Sequence, residues 1–144
     1  MTERVEVSRD RVATVRRIFE LWGEGVDEVP TDLISPEIEF VSPLTSMRGR
    51  PYRGYADARQ WLADIREQFK RWDYELAEVR EVADAVVAFG EVHLEGRTSG
   101  ISLNQRAAWL ASFAADGRIA RMEVFTEPDE AMRAAEVTRR SSPG

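Results

Sequence analysis

Three polar residues with acid–base potential alternate along one predicted strand: Glu91, His93 and Glu95. His93 is the only histidine of the chain, and an imidazole titrates near neutral pH, so flanking carboxylates would make an acid–base site. The other positions of the strand are small or apolar, namely Val86, Ala88, Gly90, Val92 and Leu94. Because alternate residues face opposite sides of a strand, the apolar set is predicted to face the interior and the polar set to face solvent. No catalytic residue is assigned, and His93 is kept as a reserve candidate.

Other reactive residue types are scarce. The sequence has no cysteine, which excludes disulfides, thiolate nucleophiles and sulfur-based zinc sites. The single histidine excludes a site with two or three histidine ligands from one chain. Lys70 is the only lysine, and its position beside Arg71 in a helical pattern favours a solvated helix face over Schiff-base chemistry. We therefore predict no metal and no cofactor.

The composition is that of a water-soluble globular protein. The chain has 144 residues, of which 43% are hydrophobic and 32% charged, and its net charge is −6. This acidic balance argues against nucleic acid as a partner, and the apolar runs are far shorter than the ~20 residues of a spanning helix. The N-terminus lacks the apolar core of a signal peptide, which favours a cytoplasmic protein. We predict one domain at residues 8–137, with flexible termini at 1–7 and 138–144.

Apolar spacings of three and four residues predict two long amphipathic helices in the first half of the chain. The first covers residues 8–22, with Ser8 as its N-cap and Gly23 at its end. The second covers residues 55–71 and is rich in aromatic side chains. Between them we predict a short helix at 27–33, a strand at 37–41 and a loop at 43–51.

The second half is predicted to form strands. Candidate strands cover residues 74–82, 85–95, 101–114 and 118–126, and a final helix covers 128–137. Asp116 and Gly117 form the dipeptide that type I′ hairpin turns favour. Helices followed by an antiparallel meander indicate an α+β fold, with a strongly bent antiparallel sheet wrapped around the helices.

Four segments carry a resemblance to a known superfamily, at residues 15–22, 32–40, 52–59 and 116–125. Their order resembles the nuclear transport factor 2-like (cystatin-like) fold, in particular its SnoaL-like branch. Residues 125–132 are similar to the ends of small SnoaL-like proteins of actinobacterial type. The resemblance implies a cone-shaped half-barrel that encloses an apolar pocket, and a homodimer.

The resemblance also permits a check of known catalytic positions. In the ketosteroid isomerase pattern, the base and the two oxyanion donors correspond to Ser42, Ile18 and Trp109, which cannot perform those roles. In the limonene epoxide hydrolase pattern, the catalytic positions hold Gly90, Val92 and Val124. The scytalone dehydratase pattern needs two histidines. None of these three activities is therefore predicted.

The predicted pocket combines the helix stripes with the apolar faces of the strands. Its lining is Ile18, Phe19, Trp22, Phe40, Ser42, Trp61, Ile65, Val92, Trp109, Met122 and Val124. Tyr52 and Tyr55 are expected near its mouth, where they could orient a ligand. The resulting function is binding or conversion of an apolar metabolite, such as a polyketide, terpenoid or steroid-like compound, without a cofactor. A non-catalytic ligand-binding protein and a protein-interaction module with a self-filled cavity are the alternatives.

The opposite face of the sheet is predicted to form the dimer interface. By parity it would expose Leu110, Ile119 and Phe125, which are too apolar to remain together in water. The polar residues of that face, including Asn104, Arg106, Arg121 and Glu123, would pair across strands or across a two-fold axis.

Overall fold

The computed structural model describes residues 2–23, 28–41 and 50–141, with side chains described at 11–23, 28–41 and 50–136. Ser42 lies outside these ranges. The elements in chain order are α1 (Thr2–Gly23), β1 (Ile34–Val41), β2 (Tyr52–Arg53), α2 (Gly54–Gln68), β3 (Phe69–Val82), β4 (Ala85–Gly96), β5 (Ser102–Phe113), β6 (Ile119–Phe125) and α3 (Pro128–Ser141). No helix in these ranges is long and apolar enough to cross a membrane.

The strands form one six-stranded sheet in the order β2-β1-β6-β5-β4-β3. The predicted α+β architecture is confirmed, but the sheet is mixed because β1 runs parallel to β6. The chain crosses from one edge of the sheet to the other through α2, which lies between β2 and β3. The strands β3 to β6 then run back across the sheet, which places β6 beside β1 and parallel to it. The sheet stays open, with β2 and β3 at its edges, and bends around α1 and α2.

The inner face of the sheet and these two helices enclose the main core. Val15, Ile18 and Phe19 of α1 pack with Ala58, Trp61 and Ile65 of α2 and with the inward residues of the strands. On β4, Val92 is 8% exposed and belongs to this core, whereas Glu91 is exposed on the other face. The prediction that the apolar residues of β4 face the interior is therefore confirmed.

The outer face of the sheet has two halves, of which α3 covers one. Ala131 and Ala135 of this helix pack on Leu110, which is 2% exposed, and on half-buried Phe125. Ile119 is 1% exposed in the inner core. The apolar dimer patch predicted from these residues is therefore wrong: α3 covers part of it, and a register shift beside Phe113 accompanies the inward position of Ile119.

Several predicted boundaries also change. Residues 69–71 belong to β3 and not to the preceding helix, and residues 28–33 include a turn at 31–33 where a helix was predicted. The helix α1 extends N-terminal to Ser8, as far as Thr2. The turn after β5 is not type I′, because Gly117 has φ of +90° while Asp116 keeps a negative φ.

Candidate functional site

The predicted pocket residues lie together in the inner core, but their side chains almost fill it. The internal cavity has a volume of about 10 Å³ and is lined by Trp22, Phe40, Val41, Trp61, Trp109, Met122 and Val124. Such a space is at the lower limit for one water molecule. Ile18, Phe19, Ile65 and Val92 belong to the surrounding core. Their role as ligand contacts stays a prediction.

Aromatic rings account for much of this filling. Phe40 stacks on Trp61 with ring centroids 4.9 Å apart, and Phe19 meets Trp109 edge-to-face at 4.9 Å. Trp22 contacts the ring of Trp61 at 5.2 Å. Side chains predicted to surround a ligand therefore pack against one another.

A larger cleft of about 330 Å³ opens beside this core, between the end of α1, the helix α2 and the start of β3. Its apolar wall includes half-buried Leu62 and buried Ile65. Its aromatic wall consists of Trp22, Trp61, Phe69, Trp72 and Tyr74. Because successive residues of β3 face opposite sides, Trp72 and Tyr74 both point inward from the strand edge. The cleft is near the lower end of the size range of small-molecule sites.

The indole N–H groups of Trp61 and Trp72 lie beneath the surface of the cleft wall, buried from water. Nε1 of Trp61 has no hydrogen-bond acceptor among the described residues, whereas the indole of Trp72 interacts with the side-chain oxygen of Tyr74. Trp61 is 5% exposed as a residue. A buried donor without an acceptor costs about 1–3 kcal/mol, so the indole of Trp61 is an unsatisfied group in the packed wall behind the cleft.

The rim of the cleft is cationic. Arg66, Lys70 and Arg97 line it, whereas Arg71 and Asp73 border it from the outer face of the edge strand β3. Arg71 donates a hydrogen bond to Asp73. Arg97 is held in place by donating to the backbone carbonyl of Arg66 at 2.8 Å and, more weakly, to that of Phe69 at 3.4 Å.

Ionisation inside the cleft is limited by burial. Burial raises the pKa of Tyr74 far above its ordinary value, so its hydroxyl is neutral at physiological pH. It therefore offers hydrogen bonding but no phenolate. Asp73, the carboxylate among the described lining residues, is paired with His93 on β4, so its side chain lies on the outer face of the sheet.

A second polar group lies on the half of the outer face that α3 leaves uncovered. His93 Nδ1 is 2.6 Å from Asn104 Oδ1, and Nε2 is 3.4 Å from Glu75 and 4.0 Å from Glu91. The Asn104 hydrogen bond, followed by that to Glu75, raises the pKa of His93. The sequence did not reveal Glu75 as a neighbour, because the pairing of β3 with β4 brings it there.

The side chains of Glu75, Glu91 and His93 could approach a cation, since one ligand atom from each lies within 4.8 Å of the others. Glu75 and Glu91 are exposed, however, and no further feature of the described residues indicates an ion. We therefore assign no metal to this group. Glu95, the third member of the predicted alternation, pairs with Arg71 of the neighbouring strand at the backbone level.

Other predicted polar residues have structural partners. The Tyr52 hydroxyl donates to Asp64 at 2.7 Å, and the Tyr55 hydroxyl donates to the Ile34 carbonyl at 2.7 Å. Both hydroxyls therefore have hydrogen-bond partners within the protein, and the ligand-orienting role of these two tyrosines stays a prediction. Arg121 forms an ion pair with Glu123 of the same strand at 2.8 Å and a cross-strand ion pair with Glu39 of β1 at 3.2 Å.

Solved structures with the same architecture place the chain in the nuclear transport factor 2-like fold class. An NTF2-like protein of unknown function from Burkholderia pseudomallei K96243 has a TM-score of 0.73 at 16% identity, covering 86% of this chain and 95% of that chain. TerC, co-crystallised with polyporic acid, has a TM-score of 0.71 at 18% identity, covering 88% and 98%. A candidate SnoaL-like polyketide cyclase from Jannaschia sp. CCS1 has a TM-score of 0.70 at 22% identity, covering 94% of each chain.

The sequence itself identifies the family. The SnoaL-like domain profile matches residues 15–122, which is most of the chain. This protein belongs to the SnoaL-like domain family. No curated protein matches it. The solved structures, all below 25% identity, establish the fold alone.

Proposed function

We propose that this protein binds a small aromatic molecule carrying an acceptor oxygen, and that the ligand occupies the cleft beside α2. The observation that carries the proposal is the aromatic wall of the open cleft, formed by Trp22, Trp61, Phe69, Trp72 and Tyr74. An aromatic ligand would stack on these rings, and its oxygen would accept a hydrogen bond from a cationic side chain at the rim. This ligand class is a narrower form of the apolar metabolite predicted from the sequence.

The relatives support this class without fixing it. TerC was crystallised with polyporic acid, and other relatives are candidate polyketide cyclases. A cleft of about 330 Å³ matches a compact ligand better than an extended one. The internal cavity of about 10 Å³ supports the alternative of a self-filled interaction module, but that argument does not extend to the open cleft.

Catalysis would require a proton-transfer group beside the ligand. Asp73, the carboxylate among the described lining residues, is paired with His93 on the neighbouring strand, so its side chain lies on the outer face with Arg71. His93 also lies on the outer face and does not line the cleft. We propose ligand binding first, with a cofactor-free isomerase, cyclase or hydratase reaction as the second candidate.

Prodan, a neutral fluorescent aromatic ketone, tests the binding proposal. We expect saturable binding, with a blue-shifted emission that reports an apolar environment. Leu62→Trp should abolish it by filling the cleft, whereas Leu103→Trp, the same change at a residue that is 48% exposed outside the cleft, should leave it intact. Equal binding by both variants, or no binding by the wild type, would overturn the proposal.

A further inference from the structure

The charge of the cleft rim is opposite to that of the whole chain. The cationic residues Arg66, Lys70 and Arg97 line the cleft, and the mutually paired Arg71 and Asp73 border it from the outer face of β3, whereas the chain carries a net charge of −6. An excess of positive charge at one concave site on an acidic protein selects ligands of negative charge. If charged residues were distributed at random over the surface, acidic residues would be expected to outnumber basic ones at the cleft, as they do in the whole chain.

The rim cations are not neutralised to the same extent. Arg71 is paired with Asp73. Arg97 donates to carbonyl oxygens of Arg66 and Phe69, which orient its guanidinium without cancelling its charge. Lys70 has no carboxylate within ion-pairing distance among the described residues. Lys70 and Arg97 therefore present positive charge beside the aromatic wall.

We propose that the ligand is a planar aromatic anion, bound with its rings on the tryptophans and its charged oxygen atoms at Lys70 and Arg97. A carboxylate or a sulfonate would fit this arrangement, because each combines acceptor oxygens with a negative charge. The inference rests on the proposed ligand-binding function and narrows its ligand class. Lys70 is the only lysine of the chain, so this contact can be probed at one residue.

A matched pair of fluorescent probes separates charge from aromatic binding. 1-Anilinonaphthalene-8-sulfonate carries a sulfonate, and N-phenyl-1-naphthylamine has the same ring system without it. Partly exposed ion pairs contribute modestly, so we expect the sulfonate to bind about two- to tenfold more tightly at low salt. Added salt should reduce this preference. Lys70→Gln should reduce it by about two- to fivefold, whereas Arg59→Gln, an equal charge change at an exposed residue outside the cleft, should not.

The single lysine also locates the anion. Reductive ¹³C-methylation keeps the charge of Lys70 and gives one lysine dimethylamino resonance, which the sulfonate should shift and the neutral probe should shift less. Equal affinity for both probes, or an unchanged Lys70 resonance at saturation, would overturn the anion inference. In that case prodan binding in the cleft would still stand, so failure of this inference is distinct from failure of the proposed function.

Discussion

Replacing Gly90 with alanine is expected to destabilise the protein strongly. Gly90 lies on β4 opposite a register shift in β3, where the two backbones approach closely. A Cβ atom at this position would lie 2.1 Å from the carbonyl oxygen of Glu75 and 3.0 Å from the Cα of Leu76. Both obstacles are backbone atoms, so no side-chain rotation can relieve the clash.

The magnitude follows from the cost of overpacking. Inserting a methyl group into a packed site costs about 1–3 kcal/mol, and a backbone clash should reach the upper end of that range. The lower entropy of an unfolded chain with alanine offsets about 0.4–1 kcal/mol. We therefore expect a net loss of about 2 kcal/mol in the free energy of unfolding. Because the shift in β3 lies just after Trp72 and Tyr74, prodan affinity should also fall.

Equilibrium urea unfolding followed by circular dichroism measures this loss. Gly23→Ala is the matched control: no atom lies within 4 Å of its added Cβ, and Gly23 ends the helix α1. That variant should be as stable as the wild type or slightly more stable. A loss below about 0.5 kcal/mol for Gly90→Ala would refute the close approach of β3 and β4.

Three further predictions concern the outer face of the sheet. Leu110→Ala should lower the free energy of unfolding by about 2–5 kcal/mol in urea titrations, because α3 covers Leu110; a loss under about 1 kcal/mol would mean that the helix does not pack there. Contacts with Asn104 and Glu75 raise the pKa of His93, so the wild type should be more stable than His93→Gln below about pH 6.5 and lose that advantage as pH rises through the folded-state pKa. Urea titrations from pH 5.5 to 9 test this, and an advantage that grows with pH would contradict it. The predicted homodimer now depends on the uncovered polar half of the face, so sedimentation should give about twice 16.4 kDa, and Arg106→Glu should shift the protein toward monomer; a monomeric wild type at micromolar concentration would reject the dimer.

Sequence periodicity located most elements but not the boundary between α2 and β3. Trp61, Ile65, Phe69 and Trp72 follow helical spacing, which extended the predicted helix past its end at Gln68. Trp72 also alternates with Tyr74 at strand spacing, so the residue fits both patterns. The tertiary pairing of β3 with β4, which no local pattern contains, decides the outcome.

Only part of the candidate site could be predicted from the sequence, because periodicity shows which residues face the interior but not which distant residues meet. Trp22, Trp61 and Ile65 were placed in the interior by their periodicity, and they line the cleft. Lys70 was assigned to a solvated helix face, although it lies on β3 at the cleft rim. Arg97, in the turn after β4, has no periodic signal, and its contact with the Arg66 carbonyl spans 31 residues of chain. Long-range contacts of this kind assemble the cationic rim.

The most direct test of the ligand-binding account is the indole region of a ¹⁵N–¹H spectrum recorded with and without prodan. The chain has four tryptophans, so four indole resonances can be assigned with single Trp→Phe variants. We predict that saturating prodan shifts the indole resonances of Trp61 and Trp72, because both residues line the cleft and the ring current of the stacked ligand changes their magnetic environment. The Trp109 resonance, from a ring in the filled interior, should move least. A spectrum in which Trp61 and Trp72 stay fixed while prodan is bound would contradict the assignment of the cleft as the binding site.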